Sequence, residues 1–225
     1  MRERWGVGHT VGLVHAVIPA IEPVKTAFGQ LAPEIKVVNI LDEGLLTEIE
    51  RRGSITPGLV RRLTQNVALA EDAGAELVLL TCTAYSPVVD EVQKQSDIPV
   101  LKIDELMVRD ALTRAKWIGL VATVPAGLNM QRQLIDQIAT EMGCEIHLDA
   151  VLRPEAFQAL ASGNRDEHDR IVLAEVERLA ETNELVMLAQ ASMGHLASMV
   201  PASVKVPVLS SPTLAVQKVK EMLDR

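Results

Sequence analysis

A gapless internal repeat constrains this chain more than any other feature. Residues 76–101 read ELVLLTCTAYSPVVDEVQKQSDIPVL and residues 184–209 read ELVMLAQASMGHLASMVPASVKVPVL. The offset is 108 residues, and eight of the 26 positions are identical, including the closing Pro-Val-Leu. A second pair, Gly12-Leu13-Val14 and Gly119-Leu120-Val121, lies at offset 107. Two pairs at nearly one offset point to a duplicated supersecondary unit. In the first copy the apolar run Leu77 to Leu80 reads as a buried strand. It ends at small and hydroxylated residues, and a helical pattern begins near Ser86 or Pro87. Cys82 therefore sits at a strand-to-helix turn, where a helix dipole and backbone N–H groups lower a thiol's pKa. The same turn can hold an anionic group such as a carboxylate. In the second copy Gln190 takes the place of Cys82.

Along the chain, strands are expected at about residues 10–18, 35–41, 76–81, 98–103, 116–123, 144–151, 184–189 and 206–209. Helices are expected at about 20–31, 56–73, 86–95, 104–115, 125–142, 154–161, 165–182, 192–200 and 213–223. Thr56 reads as an N-cap ahead of Pro57, and Asp104 as a second cap. Asp42-Glu43-Gly44 reads as a loop or cap, although Asp42 could also face a cleft. Residues 1–9 read as a loose leader. Regular alternation of strand and helix specifies an α/β fold with parallel sheets. The duplication arranges them as two pseudo-symmetric, Rossmann-like lobes with an active site in the cleft between them. The first lobe is expected over residues 10–106 plus 208–225 and the second over 107–207. Ligands in such sheets bind beyond the carboxyl ends of the strands.

Composition narrows the function. Aromatic residues make up 2% and the net charge is −8, with no basic stretch. Base stacking on nucleic acid and attraction to an anionic membrane surface are both poorly served. Two cysteines far apart make neither a disulfide framework nor a zinc-ligand spacing. No run is long enough to span a membrane, no signal peptide is visible, and the expected location is the cytoplasm. No Gly-rich phosphate fingerprint follows a strand.

The paired strand-end motifs, in two α/β halves, resemble those of the aspartate/glutamate racemase superfamily, as a divergent member with a single motif cysteine. The resemblance runs over roughly residues 10 to 225. It implies cofactor-free proton transfer at a carbon next to a carboxylate or other carbonyl. In the two-thiol racemases a cysteine from each half flanks that carbon. Carried over, Cys82 matches the first thiol. Thr83 and Ala84 match the turn that grips the carboxylate, Thr123 matches a strand-end hydroxyl, and Ala191 and Ser192 match the second turn. Gln190 stands where the second thiol would be and cannot transfer a proton in this pH range. His15 falls where glutamate racemases carry an acidic residue. A homo-oligomer is compatible with the family, and the implied partner is a small carboxylate substrate.

Other side chains have competing readings. His195 lies three residues after Ser192 and is either the missing acid–base partner or a packing histidine. His15 is either a core histidine or a cleft residue. His168, among Asp166, Glu167, Asp169 and Arg170, reads as a solvated helix face. Cys144 reads as core within an apolar strand, and His147 as a packing or capping residue. Ser210 and Ser211 could supply hydroxyls to the cleft or cap the last helix.

The first functional expectation is therefore a racemase/epimerase-type isomerase acting on a small acid. Cys82 transfers the proton, His195 or His15 serves the opposite face, and Thr83, Ala84, Thr123, Gln190, Ala191 and Ser192 hold the substrate. A second is a lyase in which one thiol protonates the carbanion left by decarboxylation of a malonate-like acid. A third is a non-catalytic small-acid binding protein.

Overall fold

In a computed structural model, which describes residues 8–224, two four-stranded parallel sheets follow one another along the chain. The first holds β1 (Thr10–His15), β2 (Lys36–Leu41), β3 (Leu77–Leu80) and β4 (Val100–Lys102), in the order β2-β1-β3-β4. The second holds β5 (Trp117–Ala122), β6 (His147–Leu152), β7 (Leu185–Leu188) and β8 (Val208–Ser210), in the order β6-β5-β7-β8. The two orders are the same, so the sequence repeat is a repeat of topology. Its register also carries over: Val11 to Val14 pair with Leu77 to Leu80, and Ile118 to Val121 pair with Leu185 to Leu188. Of the expected leader, residues 1–7 lie outside the described residues.

Between the strands of the first half run α1 (Ile21–Leu31), α2 (Glu43–Arg52), α3 (Pro57–Asp72) and α4 (Val89–Gln93). The second half contains α6 (Pro125–Met142), α7 (Pro154–Ala161) and α8 (Arg165–Ala180). Two further helices, α5 (Glu105–Arg114) and α9 (Ser211–Leu223), follow the last strand of each sheet. Thr56 caps α3 as expected, its Oγ1 accepting the Leu59 N–H at 3.2 Å. The repeated glycines have one purpose. A Cβ on Gly12 would lie 2.5 Å from Ala70 Cβ of α3, and one on Gly119 would lie 3.0 Å from Leu179 Cβ of α8. Each glycine lets a helix close onto the central strand of its sheet.

Several expectations need correction. Asp42-Glu43-Gly44 opens a whole helix, α2, which Gly44 in its first turn concealed. Asp42 stands at the N-cap position but makes no cap bond; its carboxylate accepts from Arg62 Nε at 2.7 Å and Asn66 Nδ2 at 2.9 Å. Asp104 likewise precedes α5 without a side-chain cap bond and accepts from Ser86 Oγ at 3.2 Å. Cys144 lies ahead of β6 rather than inside it, and its Sγ donates to the Ala139 carbonyl at 3.7 Å. His147 packs as expected, stacked on Trp117 with centroids 4.1 Å apart. Residues 208–210, expected in the first lobe, are β8 and pair with β7 of the second sheet.

The last helix of each half crosses over. Met107, Val108 and Ala111 of α5 pack into the apolar cluster of the second sheet. Ala215, Val216 and Val219 of α9 join Val11, Leu13 and Phe28 against the first. This exchange ties the halves together by buried apolar surface, and it fixes the strand ends opposite one another.

Candidate active site

Both sheets end their third strand in the same way. Cys82 has φ −124° and ψ 121°, and Gln190 has φ −119° and ψ 143°. Each is extended backbone followed at once by a 3₁₀ turn, Thr83–Val88 after the thiol and Ala191–Ser198 after the amide. The Cys82 carbonyl accepts the Tyr85 N–H at 3.1 Å, and the Gln190 carbonyl accepts the Met193 N–H at 3.0 Å. The two turns face each other, and the Thr83 hydroxyl bridges them by donating to the Ala189 carbonyl at 3.1 Å.

Between them is a small cavity of ≈ 40 Å³. Its lining brings together Cys82, Thr83, Ala84, Gln190, Ala191 and Ser192, six of the nine expected site residues. The remaining wall is Ala16, Val17, Ala20, Leu46, Thr81, Val124, Gly127 and Phe157. None of these side chains is charged. Leu46 comes from α2 and Phe157 from α7, and neither gave any signal in the sequence beyond an ordinary amphipathic helix.

Gln190 is held by one end of its amide. Its Oε1 accepts the Thr123 N–H at 2.9 Å and the Thr123 hydroxyl at 3.2 Å. That orients Nε2, which is buried and has no hydrogen-bond partner. A Cβ on Gly127 would sit 2.7 Å from Nε2, so the glycine makes the room this amide occupies. Thr123 itself is absent from the cavity wall and is 1% exposed. Its observed contact is with Gln190 and places it behind the amide.

At this turn burial opposes the lowering expected of the thiol's pKa. Burial among apolar groups pushes Cys82 up to about 12, while the Ala84 N–H pulls the other way and Asp104 and Glu50 add to the rise. The turn that follows is a six-residue 3₁₀ segment rather than a full α-helix, so the dipole that was expected to lower the pKa is short. Nearby Asp104 is fully buried, and burial raises its pKa against the opposing hydrogen bonds.

Neither expected histidine reaches the cavity wall. His15 is fully buried, with Nε2 3.0 Å from Asn39 Oδ1 and Nδ1 2.8 Å from Thr81 Oγ1. Burial lowers its pKa, and both ring nitrogens have partners, as in a neutral core histidine. His195 turns away onto α8, its Nε2 2.9 Å and 3.0 Å from the two Asp169 oxygens. His168, expected on a solvated face, is 0% exposed and places Nδ1 2.6 Å from Asp169 Oδ1. The periodicity carried that signal: His168 lies four residues before Val172, on the buried stripe of α8. Ser210 donates to the Gly194 carbonyl at 3.4 Å instead of facing the cavity.

A two-lobed α/β protein with opposed strand-end turns around a small cavity is the class defined by this geometry. The chain belongs to the Asp/Glu/Hydantoin racemase family, which matches residues 16–219, and it is an isomerase of that family. Solved structures share the fold. Allantoin racemase from Klebsiella pneumoniae superposes with a TM-score of 0.69 at 17% identity, over 96% of this chain and 88% of that one. Glutamate racemase from Thermus thermophilus, in complex with beta-chloro-D-alanine, gives 0.67 at 19%, over 96% and 81%. Aspartate racemase from Picrophilus torridus gives 0.67 at 13%, over 95% and 94%. No curated protein sequence matches the chain. The relatives named are racemases, and the expected lyase alternative finds no support among them. Among the described residues no helix is long and apolar enough to cross a membrane.

Proposed function

We propose that the protein interconverts stereoisomers at a carbon next to a carbonyl, with Cys82 as the only titrating side chain at the reacting carbon. The observation that carries this reading is the opposition of a thiol and an oriented, unpartnered amide across one cavity. The Gln190 Nε2 group donates to the substrate carbonyl oxygen and stabilises the charge that develops there when the proton leaves. The N–H groups that open the two 3₁₀ turns have no partner within their own turn, and those of Thr83 and Ala191 are free to serve the same developing charge. Cys82 rests as a thiol and passes its proton to water as substrate enters; the thiolate, stabilised by the Ala84 N–H, takes the α-proton, and the re-formed thiol returns it to one face or the other as the planar carbanion turns in the cavity. Ser192 lines the opposite side as a neutral hydroxyl.

The uncharged wall favours one kind of substrate. An α-ammonium or a distal carboxylate would enter without a charged partner, which costs several kcal/mol per buried ion. A carbon acid flanked by neutral amide or ureide groups meets no such penalty. The cavity of ≈ 40 Å³ is also well below the roughly 300 Å³ of ordinary ligand pockets. Leu46 and Phe157, on separate helices, would therefore move aside to admit substrate.

The test is chiral chromatography of single enantiomers incubated with the protein: allantoin, substituted hydantoins, N-acyl amino acids, aspartate and glutamate. The expected result is inversion of a ureide or N-acyl compound, lost in Cys82→Ser. Inversion of free aspartate or glutamate alone would contradict the substrate reading. Tight binding without turnover of any compound would favour the binding-protein alternative.

A further inference from the structure

We propose that His168, Asp169 and His195 form a binding site for a divalent transition-metal ion of the zinc class, clamping the second 3₁₀ turn to α8. The three residues converge from two elements 26 positions apart in sequence. One donor atom from each lies within 4.8 Å of the others. The donors are two imidazole nitrogens and a carboxylate oxygen, a set that suits zinc and its neighbours in the first transition row. Tetrahedral zinc at ordinary bond lengths holds its donor atoms roughly 3.3 Å apart. The Asp169 contacts, 2.6 Å to His168 and 2.9 Å to His195, therefore need to widen by less than about 1 Å.

Charge supplies the second argument. Asp169 is 8% exposed, and among the described residues its ion-pair partners are His168 and His195, with no lysine or arginine. Asp169 is buried against the two imidazoles alone, and buried carboxylates are normally paired or coordinate metal. A divalent ion would bring positive charge to that carboxylate in the buried cluster. Three protein donors also leave a fourth position open. His195 is the only one of the three with a substantially exposed side chain, at 22%, so the ion enters and exchanges from that side. The site is distinct from the cavity, none of whose wall residues belongs to it.

The experiment uses the full chain, freed of metal by dialysis against chelator and then dialysed against zinc chloride, with bound metal measured by atomic emission. One zinc per chain is expected in the wild type and a zinc-dependent rise in Tm. His195→Gln and Asp169→Asn should each lose both, while circular dichroism without zinc stays unchanged for His195→Gln. Cobalt substitution gives a second readout: visible bands without thiolate charge transfer, which excludes Cys82 and Cys144 as the ligands. Three results would overturn the proposal. These are no stoichiometric uptake at micromolar zinc, which would leave the triad as a hydrogen-bonded clamp only; uptake unchanged in His195→Gln; or a thiolate band with cobalt.

Discussion

Cys82 and Gln190 occupy equivalent strand ends with nearly the same backbone angles, so their difference in chemistry comes from the side chain alone. The thiol's raised pKa is open to direct measurement. In a Cys144→Ser background, alkylation of Cys82 by iodoacetamide should stay slow through neutral pH and climb with a midpoint towards about 12. A midpoint near 8.5, the value of an exposed thiol, would contradict the burial argument. Folding linkage has the same sign. A folded pKa above the unfolded one contributes stability that is complete below about 8.5 and is lost as pH rises towards about 12. On the other side of the cavity, Gly127→Ala drives a methyl into Gln190 Nε2. Activity should fall by about 10²-fold, as expected for a misplaced group, with the unfolding midpoint little changed. Full activity in Gly127→Ala would mean that the amide is not a substrate contact. Six of the nine expected site residues gather at one cavity, because strand ends and turn residues are local signals that sequence shows. The roles of His15 and His195 were not legible there, since an imidazole's partner is set by tertiary packing: Asn39 and Thr81 for one, Asp169 for the other.

Among the elements, the repeated strands were the clearest in the sequence, because a four-residue apolar run buried on both faces leaves little choice of structure. Helix α3 was equally clear from its Thr-Pro start. Helix α2 was hidden by a glycine in its first turn, and it carries Leu46 to the cavity wall. Apolar spacing over six to eight residues fits a helix and a 3₁₀ turn equally, so the sequence alone does not distinguish the turns after Cys82 and Gln190 from helices. The glycine pair offers a test of the element packing. Gly12→Ala and Gly119→Ala both push a methyl against a helix, at 2.5 Å from Ala70 and 3.0 Å from Leu179. Urea denaturation should show a loss of about 1–3 kcal/mol for each, larger for Gly12→Ala, where the approach is closer. Negligible losses would mean that α3 and α8 shift without cost, and a larger loss in Gly119→Ala would mean that closeness of approach does not set the cost.

At the scale of the whole molecule, duplication made the fold legible and divergence made the chemistry less so. Two copies of one sheet order give a pseudo-twofold arrangement, yet one copy offers a thiol and the other an amide. We propose that the lobes divide near residue 106 and again ahead of α9, since α5 and α9 each pack on the sheet opposite to the one they follow. That crossing was invisible in the sequence, where a helix shows which face is apolar but not which sheet will cover it. In the proposed reaction one thiol handles the proton without a titrating partner on the other face. The most direct measurement is early-time proton NMR of a single substrate enantiomer in deuterated water, with the enantiomers separated afterwards. A lone Cys82 predicts deuterium at the α-carbon of the recovered starting enantiomer as well as of the product, and no exchange in Cys82→Ser. Deuterium confined to the inverted product would reveal a second acid on the Gln190 side and contradict the account.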